Sequence, residues 1–101
     1  MAKAIVLKEY GKSEVLKLED IKVQKPQENE ISIKQTAIGV HFHDVYVRSG
    51  LYKTLSLPGI PGLEAAGIVE EVGKKVTNFK PGDKVGYITK NYGAYTSHRN
   101  L

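Results

Sequence analysis

The chain contains no cysteine. That excludes a disulfide framework and every metal site built on thiolates, and it suits a reducing cytoplasm. No apolar stretch approaches the roughly 20 residues that a membrane span needs, and the run in "MAKAIVLKEYGK" is too short for a secretory signal. Low-complexity tracts, charge blocks and internal repeats are also missing. Positive charge is in mild excess, 15 Lys and Arg against 11 Asp and Glu, but it is scattered. Lys74–Lys75 is the only adjacent pair of lysines, so there is no basic stripe of the kind that reads nucleic acid.

What is present is enough for one folded domain: 101 residues, 41% of them hydrophobic. Ten glycines and four prolines divide the chain into short segments. "AKAIVL" and "VLKLEDIKV" read as a hairpin, the second strand carrying apolar residues at Leu16, Leu18 and Ile21. "KPQENE" is a polar loop, and "EISIKQTAIGV" is a long strand. From His43 to Arg48 the alternation stops. Val45, Tyr46 and Ser49 then fit one short helix, with Asp44 in its first turn and Gly50 as its terminator. "LSLPGIPG" is a rigid loop. "LEAAGIVEEV" is a strand whose Gly67 marks a bulge or a close backbone approach. A Pro81-Gly82-Asp83 turn leads into a strand at Lys84–Ile88, and "GAYTSHRNL" is a last strand. Many short strands with one or two short helices argue a mainly β protein, a small, partly open barrel or sandwich.

Chemistry-bearing residues gather in "AIGVHFHDVYVRSGLY", residues 37–52. His41 and His43 share a face if that segment is extended. With Glu64 and His98 they could be combined into a metal site on paper, but no spacing enforces it, and no metal is expected. "GIPGLEAAGIV" lacks both phosphate-loop spacings and runs from loop into strand. Asp44, Glu64, Tyr46, Tyr52 and the histidines could transfer protons if gathered in a cleft. Arg48 could pair with a phosphate, or with Asp44 four residues earlier. Each has a plain structural alternative: a helix-start anion, a hydrogen-bonded buried carboxylate, packed tyrosines.

Two motifs resemble a known family. "GLEAAGIVEEVGKKV" is similar to the G-H-E-x-x-G-x-x-x-x-x-G-x-x-V signature of the medium-chain dehydrogenase/reductase superfamily, with Gly62, Glu64, Gly67, Gly73 and Val76 matching. The stretch at residues 37–52 resembles the A-I-G-x-N-F-x-D-x-Y-x-R-x-G-x-Y of its quinone oxidoreductase (ζ-crystallin-like) branch. The resemblance implies the GroES-like fold of that superfamily's N-terminal catalytic domain, over residues 1–101. It implies a zinc-independent enzyme: the zinc branch has a metal-binding cysteine and histidine where this chain has His41 and Leu63. The quinone branch usually has asparagine at position 41, so His41 is a departure.

The implied reaction is hydride transfer from NADPH to a quinone or another conjugated carbonyl. The segment His41, Phe42, His43, Asp44, Val45 and Tyr46 would line the nicotinamide side. Asp44, Tyr46, Arg48 and Tyr52 would form the polar and aromatic set of the catalytic cleft. The family's Rossmann domain, which holds most of the dinucleotide, is expected to lie outside these residues, so the chain alone is expected not to turn over quinone. No nucleic-acid or membrane partner is expected, and a homo-oligomer is in keeping with the family. The competing reading is a stand-alone GroES-like binding or co-chaperonin-type module. The segment "KVQKPQENE" is a poor version of the mobile loop that such a module would need.

Overall fold

The computed structural model of the chain describes residues 2–101. Strands β1 (Ala2–Leu7) and β2 (Leu16–Ile21) pair antiparallel, with Ala2 opposite Ile21 and Leu7 opposite Leu16. A single 3-10 turn at Ser13–Val15 links them. Strands β3 (Ile31–Ile38), β4 (Glu64–Val72), β5 (Lys84–Ile88) and β6 (His98–Asn100) form a four-stranded antiparallel sheet in the order β5-β4-β3-β6. Helix α1 (Phe42–Ser49) interrupts the chain between β3 and β4.

The two sheets are joined by the segment leading into β6. The Ile5 N–H donates to the Tyr95 carbonyl at 2.9 Å, and the Ser97 N–H donates to the Lys3 carbonyl at 2.8 Å. On its other side the same segment meets β3, where the Gln35 N–H donates to the Ser97 carbonyl at 2.8 Å. The result is the expected mainly β, partly open barrel, with β2 and β5 as unclosed edges. The expected last strand is shorter than "GAYTSHRNL": only His98–Asn100 is regular, and Thr96 makes an isolated bridge to Ala4.

The core follows from alternation where both strands are covered. Ile31 and Ile33 of β3 and Val69 of β4 are buried, with Val72, Val76, Val85 and Tyr87 packed against them. Beside this core lies a cavity of about 510 Å³ lined by Ile31, Ile33, Val76, Phe79, Val85 and Tyr87. Alternation misleads on β2, where Leu18 is 66% exposed because the outer face of an edge strand has nothing over it. Gly67 does mark a close approach. The β3–β4 register shifts between Gln35 and Ala37, and a Cβ on Gly67 would lie 2.2 Å from the Lys34 carbonyl oxygen.

Candidate active-site cleft

Helix α1 is laid down by its two ends. His41 enters it in extended conformation, and the Asp44 carboxylate, one turn inside, accepts the His41 backbone N–H at 3.0 Å. Gly50 ends it at φ 87°, a left-handed conformation in which a side chain is strained. At 3.6 residues per turn, Phe42, Val45, Tyr46 and Ser49 fall on one face and Asp44, Val47 and Arg48 on the opposite one.

The usual polarity of a surface helix is inverted here. Val47 is fully buried and Asp44 is 4% exposed, whereas Phe42 is 80% exposed and Val45 and Tyr46 are each 38% exposed. Val40, just before the helix, is 74% exposed and extends this apolar face. Asp44 tolerates burial because it is bonded: the same oxygen that caps the helix accepts the Tyr95 hydroxyl at 2.7 Å. Burial, reinforced by the hydrogen bond to Asp44 and by its charge, pushes the Tyr95 phenol well above the ordinary tyrosine range. The suggested Asp44–Arg48 ion pair does not form among the described residues. Asp44 Oδ1 and Arg48 Nε are both buried without hydrogen-bond partners.

Two side-chain groups border the apolar face. On one side His41 Nε2 lies 2.9 Å from Glu64 Oε1, at the start of β4. The contact is close but makes no aligned hydrogen bond, and it is an ion pair only when the imidazole carries a proton on both nitrogens. Gly39 makes the room, since a Cβ there would fall 2.5 Å from Glu64 Cγ. On the other side stands an aromatic cluster. The Tyr52 N–H donates to the Tyr46 carbonyl at 3.1 Å, which folds the loop back and sets the two rings edge-on at 5.4 Å. The His43 ring lies 5.5 Å from Tyr52 and stacks on Tyr92 at 5.9 Å.

All the residues expected to form the cleft therefore lie on or beside α1, but in different roles. His41, Phe42, Val45, Tyr46 and Tyr52 border or form the open face; His43 lies at its edge; Asp44 and Arg48 are turned inward. Among the described residues no three His, Asp or Glu side chains converge on a point. His98 is elsewhere, 3.5 Å from Glu70. Sequence reasoning missed Tyr92, Tyr95 and Thr54. The repeated tyrosine in "NYGAYT" was the available signal, two phenols three residues apart around Gly93.

Residues 27–100 match the alcohol dehydrogenase GroES-like domain. Over its whole length the chain is 46% identical to quinone oxidoreductase 1 of Escherichia coli, of which it spans 31%. It is 42% identical over 100 residues to the quinone oxidoreductase of Lama guanicoe, of which it spans 30%. The crystal structure of the E. coli quinone oxidoreductase complexed with NADPH superposes with a TM-score of 0.92 at 44% identity, over 98% of this chain and 30% of that one.

Proposed function

The chain belongs to the alcohol dehydrogenase GroES-like domain family, and from that premise we propose that it is the N-terminal catalytic domain of an NADPH-dependent quinone oxidoreductase. Its reaction is hydride transfer to a quinone or another conjugated carbonyl, without zinc. The dinucleotide is held mainly by a Rossmann domain outside residues 1–101, and these residues alone turn over no quinone. A cytoplasmic setting goes with a chain free of cysteine.

The observation that carries this reading is the outward apolar face of α1, set between the His41–Glu64 pair and the tyrosines. A flat, conjugated ring suits such a surface. Val40, Phe42 and Val45 cover one side of a ring and exclude water from it. The partly exposed Tyr46 and Tyr52 beside it carry phenols that can supply the hydrogen-bond donors a carbonyl oxygen needs. The nicotinamide ring fits the same surface, and NADPH, when bound, supplies the hydride. Asp44 and Tyr95 act behind the face as positioning residues that fix the first turn of α1. Leu63, where the zinc branch of the superfamily has a histidine, has no metal-binding atom, which is the support for zinc independence.

The test is to isolate the natural gene product from its source cells and assay NADPH oxidation with benzoquinone, beside the recombinant 101-residue chain. A product roughly three times longer that consumes NADPH and quinone in equal amounts, before and after dialysis against a chelator, is the expected result. A longer product that leaves NADPH unoxidised with every quinone offered sinks the proposal.

A further inference from the structure

Two-electron reduction of a quinone needs one proton as well as a hydride, and the α1 edge holds several phenols that could give it. They are not equivalent. Tyr95 is tied to a carboxylate inside the barrel, and both burial and Asp44 oppose loss of its proton. Tyr46 and Tyr52 touch each other through their rings, and among the described residues neither hydroxyl has a side-chain hydrogen-bond partner that could return a proton. Tyr92 differs from all three. Its hydroxyl lies 2.9 Å from His43 Nε2 and 2.5 Å from Thr54 Oγ1, so it stands between a titratable base and an exposed hydroxyl.

The position of Tyr92 is held from behind. Arg99 of β6 donates to the carbonyls of Asn91 at 3.0 Å and Tyr92 at 3.2 Å, and its guanidinium lies over the Tyr87 ring. The loop carrying Tyr92 is therefore anchored to the sheet. His43 sits at 100° from Phe42 around α1 and 60° from Tyr46, on the border of the open face.

We propose that the Tyr92 hydroxyl is the proton donor of the cleft and that His43 restores its proton. This rests on the hydride-transfer reading above. Addition of hydride to a quinone leaves a hydroquinone monoanion. The Tyr92 O–H bond breaks as a new O–H bond forms on that anion. The Tyr92 phenolate then takes the Nε2 proton of the His43 imidazolium, and the neutral imidazole regains a proton from water. Quinone, hydride and one solvent proton give hydroquinone, so the charges balance. A protonated His43 can only donate to the Tyr92 oxygen 2.9 Å away, which would leave the phenol proton free to point to Thr54 or, in its place, to a substrate oxygen.

The groups facing His43 are Tyr52 from the loop after α1 and Tyr92 from the loop before β6, with Asp44 and Arg48 on its own helix. No carboxylate is ion-paired with it among the described residues. The supply of protons therefore depends on His43 being charged, and turnover should fall as the solution turns alkaline.

The experiment uses the intact gene product and its Tyr92→Phe and His43→Gln variants. Tyr92→Phe is expected to lower kcat with benzoquinone by about 10²-fold with KM little changed, and both variants should lose the alkaline decline. A Tyr92→Phe enzyme with the wild-type kcat and pH profile overturns the proposal. A second readout is independent of turnover: the His43 ring titration followed by NMR in wild type and Tyr92→Phe. A midpoint that moves on removal of the hydroxyl supports the coupling, and an unmoved midpoint overturns it. A wild-type enzyme with no quinone activity would instead refute the functional reading, so the two failures are told apart.

Discussion

Replacing Gly67 with alanine should be among the most damaging single-methyl additions to this protein. The added Cβ would sit 2.2 Å from the Lys34 carbonyl oxygen and 2.8 Å from Gln35 Cα. Both are backbone atoms of the facing strand, so no side chain can rotate away. Ordinary contact begins near 3.4 Å, which means that β3 and β4 must part by about an ångström at that point. Hydrogen-bonded strands lie roughly 4.8 Å apart, so an opening of that size breaks or stretches the ladder beside the bulge. Overpacking costs about 1–3 kcal/mol, and one or two weakened backbone bonds add roughly 1 kcal/mol each. The expected loss is about 2–5 kcal/mol, a large share of the roughly 5–15 kcal/mol that holds a domain together.

The chain has no tryptophan, so urea unfolding is best followed by far-ultraviolet circular dichroism. The midpoint should fall by about 2 M at an ordinary slope. Gly86→Ala, in the neighbouring strand, is the control. Its nearest contacts would be 3.8 Å away, and its backbone is not left-handed. It should leave the midpoint in place or raise it slightly. Equal midpoints for the two variants would refute the close-approach argument.

Other expectations follow from the inverted helix and the surface ions. Asp44→Ala removes the acceptor of the His41 N–H and strands the Tyr95 hydroxyl, and should cost about 2–3 kcal/mol in the same assay. Phe42→Ser, on an exposed side chain, should change stability by less than about 0.5 kcal/mol but weaken quinone turnover in the intact gene product. Tyr95 has its phenol ionisation raised in the fold, so the unfolded chain loses that proton first; stability should be intact below pH 10 and fall above it, and Tyr95→Phe should flatten this alkaline limb. Asp83 accepts the Lys80 N–H and pairs with its ammonium, which lowers its ionisation below 3.8. Its contribution is present above that value and is lost as pH falls below it, so Asp83→Asn should soften the acid limb of a pH–stability curve.

Much of this molecule is legible from local rules, and the remainder depends on pairs far apart in sequence. The hairpin, the long β3, the helix ending at Gly50 and the bounds of β5 are all carried by neighbours within a few residues. Gly67 was readable because a glycine inside an alternating strand usually sits at a bulge or where another backbone comes close. The inward turn of Asp44 was not readable, since it depends on a hydroxyl 51 residues later. The same holds for His43 with Tyr92, separated by 49 residues, and for His41 with Glu64. Leu18 alternates correctly, yet its partner layer is missing, and a periodic pattern does not report whether anything lies opposite. Arg48 failed as an ion-pair partner because helical spacing permits contact without requiring it.

The seam between the two sheets has a kinetic consequence. Residues 95–97 bond β1 at the other end of the chain, and the Leu101 N–H and carbonyl both bond Ile31. Loop closure on this scale must be met before the contacts it permits can offset it, which places the protein among slow-folding, non-local topologies. During synthesis the hairpin β1–β2 and the β3–β4–β5 sheet can form as soon as they emerge, and the Leu7–Gly59 bridge and the Gly11–Arg48 backbone bond can link them early, but the seam through residues 95–97 cannot close until the tenth decade of the sequence has left the ribosome. For that interval, at about 5–20 residues per second, the nascent chain exposes unpaired strand edges on both halves. A chaperone that recognises extended apolar segments would meet this protein in that window, and a chain cut before Tyr95 would remain in it.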